Sequence, residues 1–244
     1  LLTCLEYEQK LRRNSGILIS SSSLIDGELI IKDKYSIVGP FYDLMSVIYS
    51  FNQIDKCKTA MLDRIKPDDN VLFAGVGHGI DAIAAAELGA KVTVVDLSAT
   101  MLKRFNKGID KKKFKHTIRQ LHRNILETDE FSMYDMVFAH FFLNVFSKKM
   151  IPQVLSHLTK LAKKEGFVVV GDFSLPTGNL IAKFFQILYW RMADLFFWIA
   201  SDTALHPVYD YQKYMRELGL KIKMVKYFRV LFDKRYYSIL GQKK

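Results

Sequence analysis

Three glycines on alternate positions, Gly75, Gly77 and Gly79, close the apolar run Val71-Leu72-Phe73-Ala74. A second apolar run, Val92-Thr93-Val94-Val95, ends on Asp96. Glycines at such a place let the backbone approach a ligand and turn into a helix N-terminus without a Cβ clash. An acid at the end of the following strand is placed to accept hydrogen bonds from ribose hydroxyls. Strand, glycine loop, helix, strand and acid is the sequence form of a nucleotide-type binding crossover, so these residues are candidates to hold a cofactor. Proton transfer has three candidates: His140 after the run Met136–Ala139, Asp172 after Phe167–Val170, and His206 ahead of Pro207. The first two fall at strand C-termini, where open parallel sheets bind their ligands. No cluster has zinc-ligand spacing and no Ser/His/Asp triad is legible, so no metal is expected.

These side chains need a scaffold, and the chain has the material for one. It has 244 residues, half of them hydrophobic, enough for one sizeable α/β domain with a full core. Two cysteines, Cys4 and Cys57, are too few for a disulfide framework, which makes a reducing, cytoplasmic location the expectation. No uninterrupted apolar run reaches the roughly 20 residues of a spanning helix. No signal peptide is recognisable, and the absence of an initial Met leaves room for an upstream segment. The formal net charge of +11 raises nucleic acid and anionic membranes as partners. Much of it sits in Lys103, Arg104, Lys107, Lys111, Lys112, Lys113, Lys115, Arg119 and Arg123, and more near the C-terminus. A solvated lysine-rich face accounts for this. Without a zinc finger or an aromatic RNA-binding signature, nucleic acid is the minority reading.

Residues 1–34 read as an N-terminal arm, and residues 35–244 as a single domain. A largely helical stretch is expected from Phe41 to about Ile65, ending before Pro67 and the Asp68-Asp69 turn. Asp81 to Leu88 reads as a helix closed by Gly89. Ser98 is placed to cap the next helix, which carries Met101, Leu102 and Phe105. Strands are expected at 114–121, 135–139 and 167–170. A helix from about Lys148 to Lys164 tolerates Pro152 only in its first turn. Tyr209 to Leu218 reads as a last helix closed by Gly219. Two strands, Lys221–Phe228 and Arg235–Leu240, follow with a connection short enough for an antiparallel pair. Regular alternation of strands and helices implies a doubly wound parallel sheet.

Residues 174–207 interrupt that rhythm as an inserted lid. From Leu180 to Ala200, Ile181, Phe184, Phe185, Leu188, Tyr189, Met192, Leu195, Phe196 and Ile199 recur with helical period, opposite Lys183, Gln186, Arg191 and Asp194. Three readings of this amphipathic helix stay open: packing on the core, covering an apolar pocket, or docking on a membrane surface. Its aromatic residues, with Trp190 and Trp198 among them, favour an apolar or aromatic small acceptor that is quinone-like, phenolic or lipid-like.

A dinucleotide loop needs G-x-G-x-x-G, and here the third glycine comes one residue early. With the helical region before the first strand, the parallel sheet and the final antiparallel pair, the chain resembles the class I S-adenosylmethionine-dependent methyltransferases. It is most similar to the group that includes the ubiquinone/menaquinone C-methylating enzymes. The residues that carry the resemblance are Val38-Gly39-Pro40-Phe41-Tyr42-Asp43-Leu44-Met45, the glycine loop with His78, Asp96, and Tyr134-Asp135-Met136-Val137-Phe138-Ala139-His140-Phe141. It implies a Rossmann-like, seven-stranded, mostly parallel sheet whose last strand is antiparallel, with S-adenosyl-L-methionine as cofactor. It further implies that Asp96 binds the ribose and Leu97 packs on adenine, with Met101, Asn124 and Ile125 around that end. Asn124 stands where the family often has an acid reaching the adenine amine, and its amide oxygen can accept the same bond. Tyr42 would fold over the cofactor and His140 would meet its methionine moiety. One departure is sharp: the acid that usually stands two residues before the first glycine is Phe73 here. Methyl transfer to a small apolar acceptor is the expected function. The alternatives are an RNA methyltransferase using the basic clusters, and a cofactor-binding module or related enzyme without methyl transfer.

Overall fold

The computed structural model describes residues 52–188, 208–230 and 233–244. The N-terminal arm, Tyr42, Trp190, Phe196, Trp198 and His206 lie outside the described residues. In chain order the elements are α1 (Gln53–Thr59), β1 (Asn70–Ala74), α2 (Ile80–Glu87), β2 (Lys91–Asp96), α3 (Ala99–Ile109) and β3 (Arg119–His122). Then come β4 (Tyr134–His140), α4 (Ile151–Leu161), β5 (Ala162–Phe173), α5 (Tyr211–Glu217), β6 (Lys221–Val230) and β7 (Asp233–Gln242).

Alternation along β1 sets the layers. Val71 and Phe73 point into one apolar cluster and Leu72 and Ala74 into another, and all four are buried. A strand apolar on both faces has to be covered on both. β4 obeys the same rule, with Met136 and Phe138 on the first face and Val137 and Ala139 on the second. α2 covers the first face through Ala82, Ala85 and Ala86, and α3 through Leu102 and Phe105. α4 covers the second through Val154, Leu155 and Leu158, and α5 through Tyr211 and Met215.

The strands form one sheet in the order β3-β2-β1-β4-β5-β7-β6. β7 runs antiparallel to both neighbours, and the other pairs are parallel. This is the seven-stranded, Rossmann-like methyltransferase arrangement that the sequence led one to expect. The chain winds outward from β1 to β3 and then returns to the other side of β1 with β4. The crevice at that reversal, above the C-terminal strand ends, is where such sheets bind ligands.

α1 ends at Thr59 rather than near Ile65, with a 3-10 turn at Leu62–Arg64, and two boundaries further along the chain also differ from expectation. β3 starts at Arg119 rather than Phe114. Phe114 and Ile118 pack onto the Phe73 face from a connecting segment, so their apolar character reflects packing without strand pairing. α4 ends at Leu161 and β5 begins at once, where the polar residues Lys163, Lys164 and Glu165 read as a continuing helix. Tyr134 pairs with Ala162 but Met136 with Phe167, so the intervening residues bulge from the ladder. Glu165 takes φ +60° there, and Lys163 Nζ lies 2.7 Å from Asp135 Oδ1.

Residues 180–188 are helical, as expected, but they are not packed on the core. Leu180 is 84% exposed, Phe184 61% and Phe185 62%. Among the described residues, no helix is long and apolar enough to cross a membrane.

Candidate functional site

The glycines serve three different purposes. All have positive φ, +76° at Gly75, +49° at Gly77 and +67° at Gly79, where L-residues are strained. A Cβ on Gly75 would stand 2.8 Å from Cδ2 of Phe142. One on Gly79 would run into the Phe105 ring, so that glycine lets α2 and α3 approach each other. One on Gly77 would meet nothing closer than Lys58 Nζ, at 3.9 Å. Gly77 is therefore the glycine whose bare Cα faces open space, a cradle that a methyl group would fill.

That space is a cleft over the ends of β1, β2 and β4. Gly75, Val76 and Gly77 form one wall; Val95, Asp96, Leu97 and Met101 another; Arg123, Ile125, Phe142 and Val145 a third. His140, Phe141, Lys58 and Asp81 complete it. Asp96 is fixed by backbone donors: Val76 N–H donates to Oδ2 at 2.8 Å and Ser98 N–H to Oδ1 at 2.7 Å. Each carboxylate oxygen keeps a second lone pair, so the acid can still accept two hydroxyls. Burial raises its pKa, while the Ser98 and Val76 amides oppose that rise. Ser98 also caps α3, accepting the Met101 N–H. The residues fit a nucleoside cofactor: a bare glycine cradle, a fixed acid with spare acceptor sites, and the apolar side chains of Leu97, Met101 and Ile125.

At the opposite end the site is unusual. Phe73 occupies the position where an acid is expected, and its ring is buried against Phe138, beneath the cleft. A carboxylate that lines this end is Asp81, in the first turn of α2, whose Oδ2 lies 2.6 Å from His140 Nδ1. Both side chains are buried, 7% and 3% exposed. Burial works to raise the Asp81 pKa, but the His140 hydrogen bond and the charges of His140 and Lys58 overcome it, and the net shift is downward. His140 Nε2 is buried without a hydrogen-bond partner among the described residues. The imidazole fits because position 171 is bare: a Cβ there would stand 2.6 Å from His140 Cδ2. Phe141 follows with φ +50°, a left-handed conformation that aims its ring at Phe173 and Tyr236. Strained backbone of this kind is common at functional sites. Lys58 Nζ lies 6.0 Å from the centre of the Phe141 ring.

Of the residues singled out from sequence, Gly75, Gly77, Asp96, Leu97, Met101, Ile125 and His140 come together on this cleft. His78 is exposed on the loop, and Gly79 lies under Phe105. Asn124 is buried, and its Oδ1 accepts the Leu126 N–H at 2.9 Å. Asp172 is buried at the end of β5, off the cleft wall. Its Oδ1 accepts from Phe173 N–H at 2.8 Å and Asn144 Nδ2 at 3.1 Å. Burial, opposed by those donors, pushes its pKa up to about 7. Tyr42 and His206 fall outside the described residues. Lys58, Asp81 and Arg123 were not singled out as site residues. Asp81 had a legible cue, an acid directly after the glycine loop. Lys58 had none, because the packing of α1 against β5, β6 and β7 brings it there.

Comparison with known proteins agrees with this geometry. Residues 72–168 match the family described as "Methyltransferase domain". Ribosomal protein L11 methyltransferases of Listeria welshimeri and Listeria monocytogenes are 31% identical over 90 residues, 36% of this chain and 29% of theirs. The match thus spans under a third of those relatives' length. Among solved structures, the 1,6-didemethyltoxoflavin-N1-methyltransferase of Burkholderia thailandensis has a TM-score of 0.62 at 14% identity, covering 93% of this chain and 98% of that one. The magnesium protoporphyrin IX methyltransferase of Synechocystis, with bound S-adenosylhomocysteine, has 0.58 at 17%, covering 97% and 94%. At these identities the likeness to the solved structures is one of fold.

Proposed function

We propose that this chain is a class I S-adenosylmethionine-dependent methyltransferase that transfers a methyl group to a small apolar or aromatic acceptor. The observation that carries the reading is the cleft itself, with the Gly77 cradle and the fixed Asp96 at one end and an aromatic wall at the other. In this reading the cofactor is S-adenosyl-L-methionine. Asp96 holds the ribose hydroxyls, while Leu97, Met101 and Ile125 flank the adenine. When bound, the cofactor would supply an electrophilic methyl carbon whose leaving group, the neutral thioether, keeps the electrons of the broken bond. The protein's task is then chiefly to align the acceptor with that carbon. For a hydroxyl or carbon-acid acceptor, His140 takes the proton, with Asp81 fixing its tautomer.

Two observations support an apolar acceptor. Phe141, which lines the cleft, packs edge to face on Phe173 and Tyr236, and those two rings are tilted against each other. The exposed helical residues 180–188 add aromatic and aliphatic surface that a lid over such an acceptor, or a membrane-surface contact, would bury. The Burkholderia and Synechocystis enzymes are named for planar heteroaromatic molecules, which is consistent with this class. A second reading, a ribosomal protein or RNA acceptor, draws on the Listeria match and on the exposed Lys103, Arg104 and Lys107 of α3.

The deciding experiment incubates the protein with methyl-labelled S-adenosylmethionine and a panel of quinols, phenols, planar heteroaromatics, ribosomal protein L11 and RNA. Label is expected on a planar apolar member. Label confined to L11 or RNA selects the second reading, and a protein that binds no cofactor overturns both.

A further inference from the structure

We propose that Asp81 and Lys58 together hold the amino-acid end of the cofactor, Asp81 taking its ammonium and Lys58 its carboxylate. The inference rests on the cofactor reading above and concerns the end of the cleft where Phe73 leaves no acid.

The methionine moiety of S-adenosylmethionine is a zwitterion, and a site for it needs one charge of each sign. Phe73 contributes none, since its ring is 2% exposed and stacked on Phe138. Position 81 makes up the loss. Its carboxylate lies on the cleft, one oxygen tied to His140 Nδ1 at 2.6 Å and the other accepting the Ala82 N–H at 3.1 Å. Those bonds occupy one lone pair on each oxygen and leave the other available to an ammonium. They also fix the rotamer, so little side-chain freedom remains to be lost on binding. A carboxylate this deeply buried is tolerated only with charged partners. His140 supplies a hydrogen bond, and the ammonium of the ligand would supply the opposite charge.

Lys58 completes the pair. It reaches the cleft from the last turn of α1, and its Nζ is the atom nearest to the open side of Gly77. It forms no ion pair within 4 Å among the described residues, although its charge is felt at Asp81. A cation beside the glycine loop and an anion in the first turn of α2 match the two ends of an α-amino acid. The acid has in effect moved from the end of β1 to the start of α2.

The test uses three probes on the full chain, read by calorimetry rather than turnover. S-adenosylhomocysteine carries both charges, 5′-methylthioadenosine lacks the whole amino-acid end, and decarboxylated S-adenosylmethionine lacks only the carboxylate. For Asp81→Asn, affinity for S-adenosylhomocysteine should fall by about tenfold or more, the scale of a lost charged hydrogen bond, while affinity for methylthioadenosine stays within about twofold. For Lys58→Met, S-adenosylhomocysteine should be weakened and decarboxylated S-adenosylmethionine left unaffected. Equal losses across the probes, or none, overturn the proposal. Lys58 is half-exposed, so its variant carries the contrast even if the Asp81 variant does not fold. A wild-type protein that binds none of the probes defeats the cofactor reading instead.

Discussion

The Phe73 ring lies parallel to that of Phe138, with centroids 4.8 Å apart and planes 12° from each other. β1 and β4 are hydrogen-bonded neighbours in which these two residues are register partners, so the stack follows directly from strand pairing. Cross-strand aromatic pairs of this kind stabilise a sheet beyond simple burial. Phe73 is therefore a core residue, and the charge chemistry of the cleft has to be supplied from elsewhere.

Placing an acid at position 73 should harm the protein. Phe73→Glu removes a packed ring, a loss of about 3–5 kcal/mol on the scale of large core truncations, and leaves a carboxyl facing Phe138. Urea denaturation should show a clear fall in midpoint, and calorimetry should show no gain in cofactor affinity. An unchanged midpoint with tighter binding would mean that position 73 faces the ligand.

The glycines should separate by phenotype. Gly77→Ala meets open space and costs mainly the left-handed backbone, about 1–2 kcal/mol, but its methyl group occupies the cradle. Its affinity for S-adenosylhomocysteine should drop by about tenfold. Gly79→Ala meets the Phe105 ring and should lose more melting temperature than Gly77→Ala. Adding Phe105→Leu should recover part of that loss, because the two positions are coupled by contact.

Asp172 should make stability fall as pH rises. Its pKa is about 7 in the folded protein against an ordinary 3.8, raised by burial. Below pH 3.8 it is protonated in both states and costs nothing. Between 3.8 and about 7 only the unfolded chain ionises it, which favours unfolding by about 1.4 kcal/mol per pH unit. Above pH 7 the loss levels off. Melting curves from pH 5 to 8 should therefore slope downward for the wild type and flatten for Asp172→Asn. Equal slopes would show that Asp172 is not the group responsible. The depressed carboxyls of Asp81 and Glu130 act with the opposite sign, and in more acidic solution.

The cofactor half of the cleft was legible because its signals are local. An apolar run, three glycines and an acid at the next strand end lie within one crossover, and Gly75, Gly77 and Asp96 meet as that spacing implies. The other half depends on partners distant in sequence. Lys58 arrives on α1, and His140 at the end of β4 meets Asp81 in the first turn of α2, a contact no local pattern implies. The missed boundaries have the same origin. Phe114 and Ile118 are apolar because they pack on the cluster of the Phe73 face, while Lys163, Lys164 and Glu165 are polar because they bulge out of a strand. In both cases tertiary context outweighed local propensity.

β7 follows β6 in the chain yet lies between β6 and β5. Until residues 233–242 leave the ribosome, β5 has an open edge, with Val168, Val169 and Val170 awaiting a partner across it. Unpaired apolar edges are sites of mispairing. The nascent chain thus passes through a stage in which its sheet is one strand short in the interior, with the β5 edge open to mispairing.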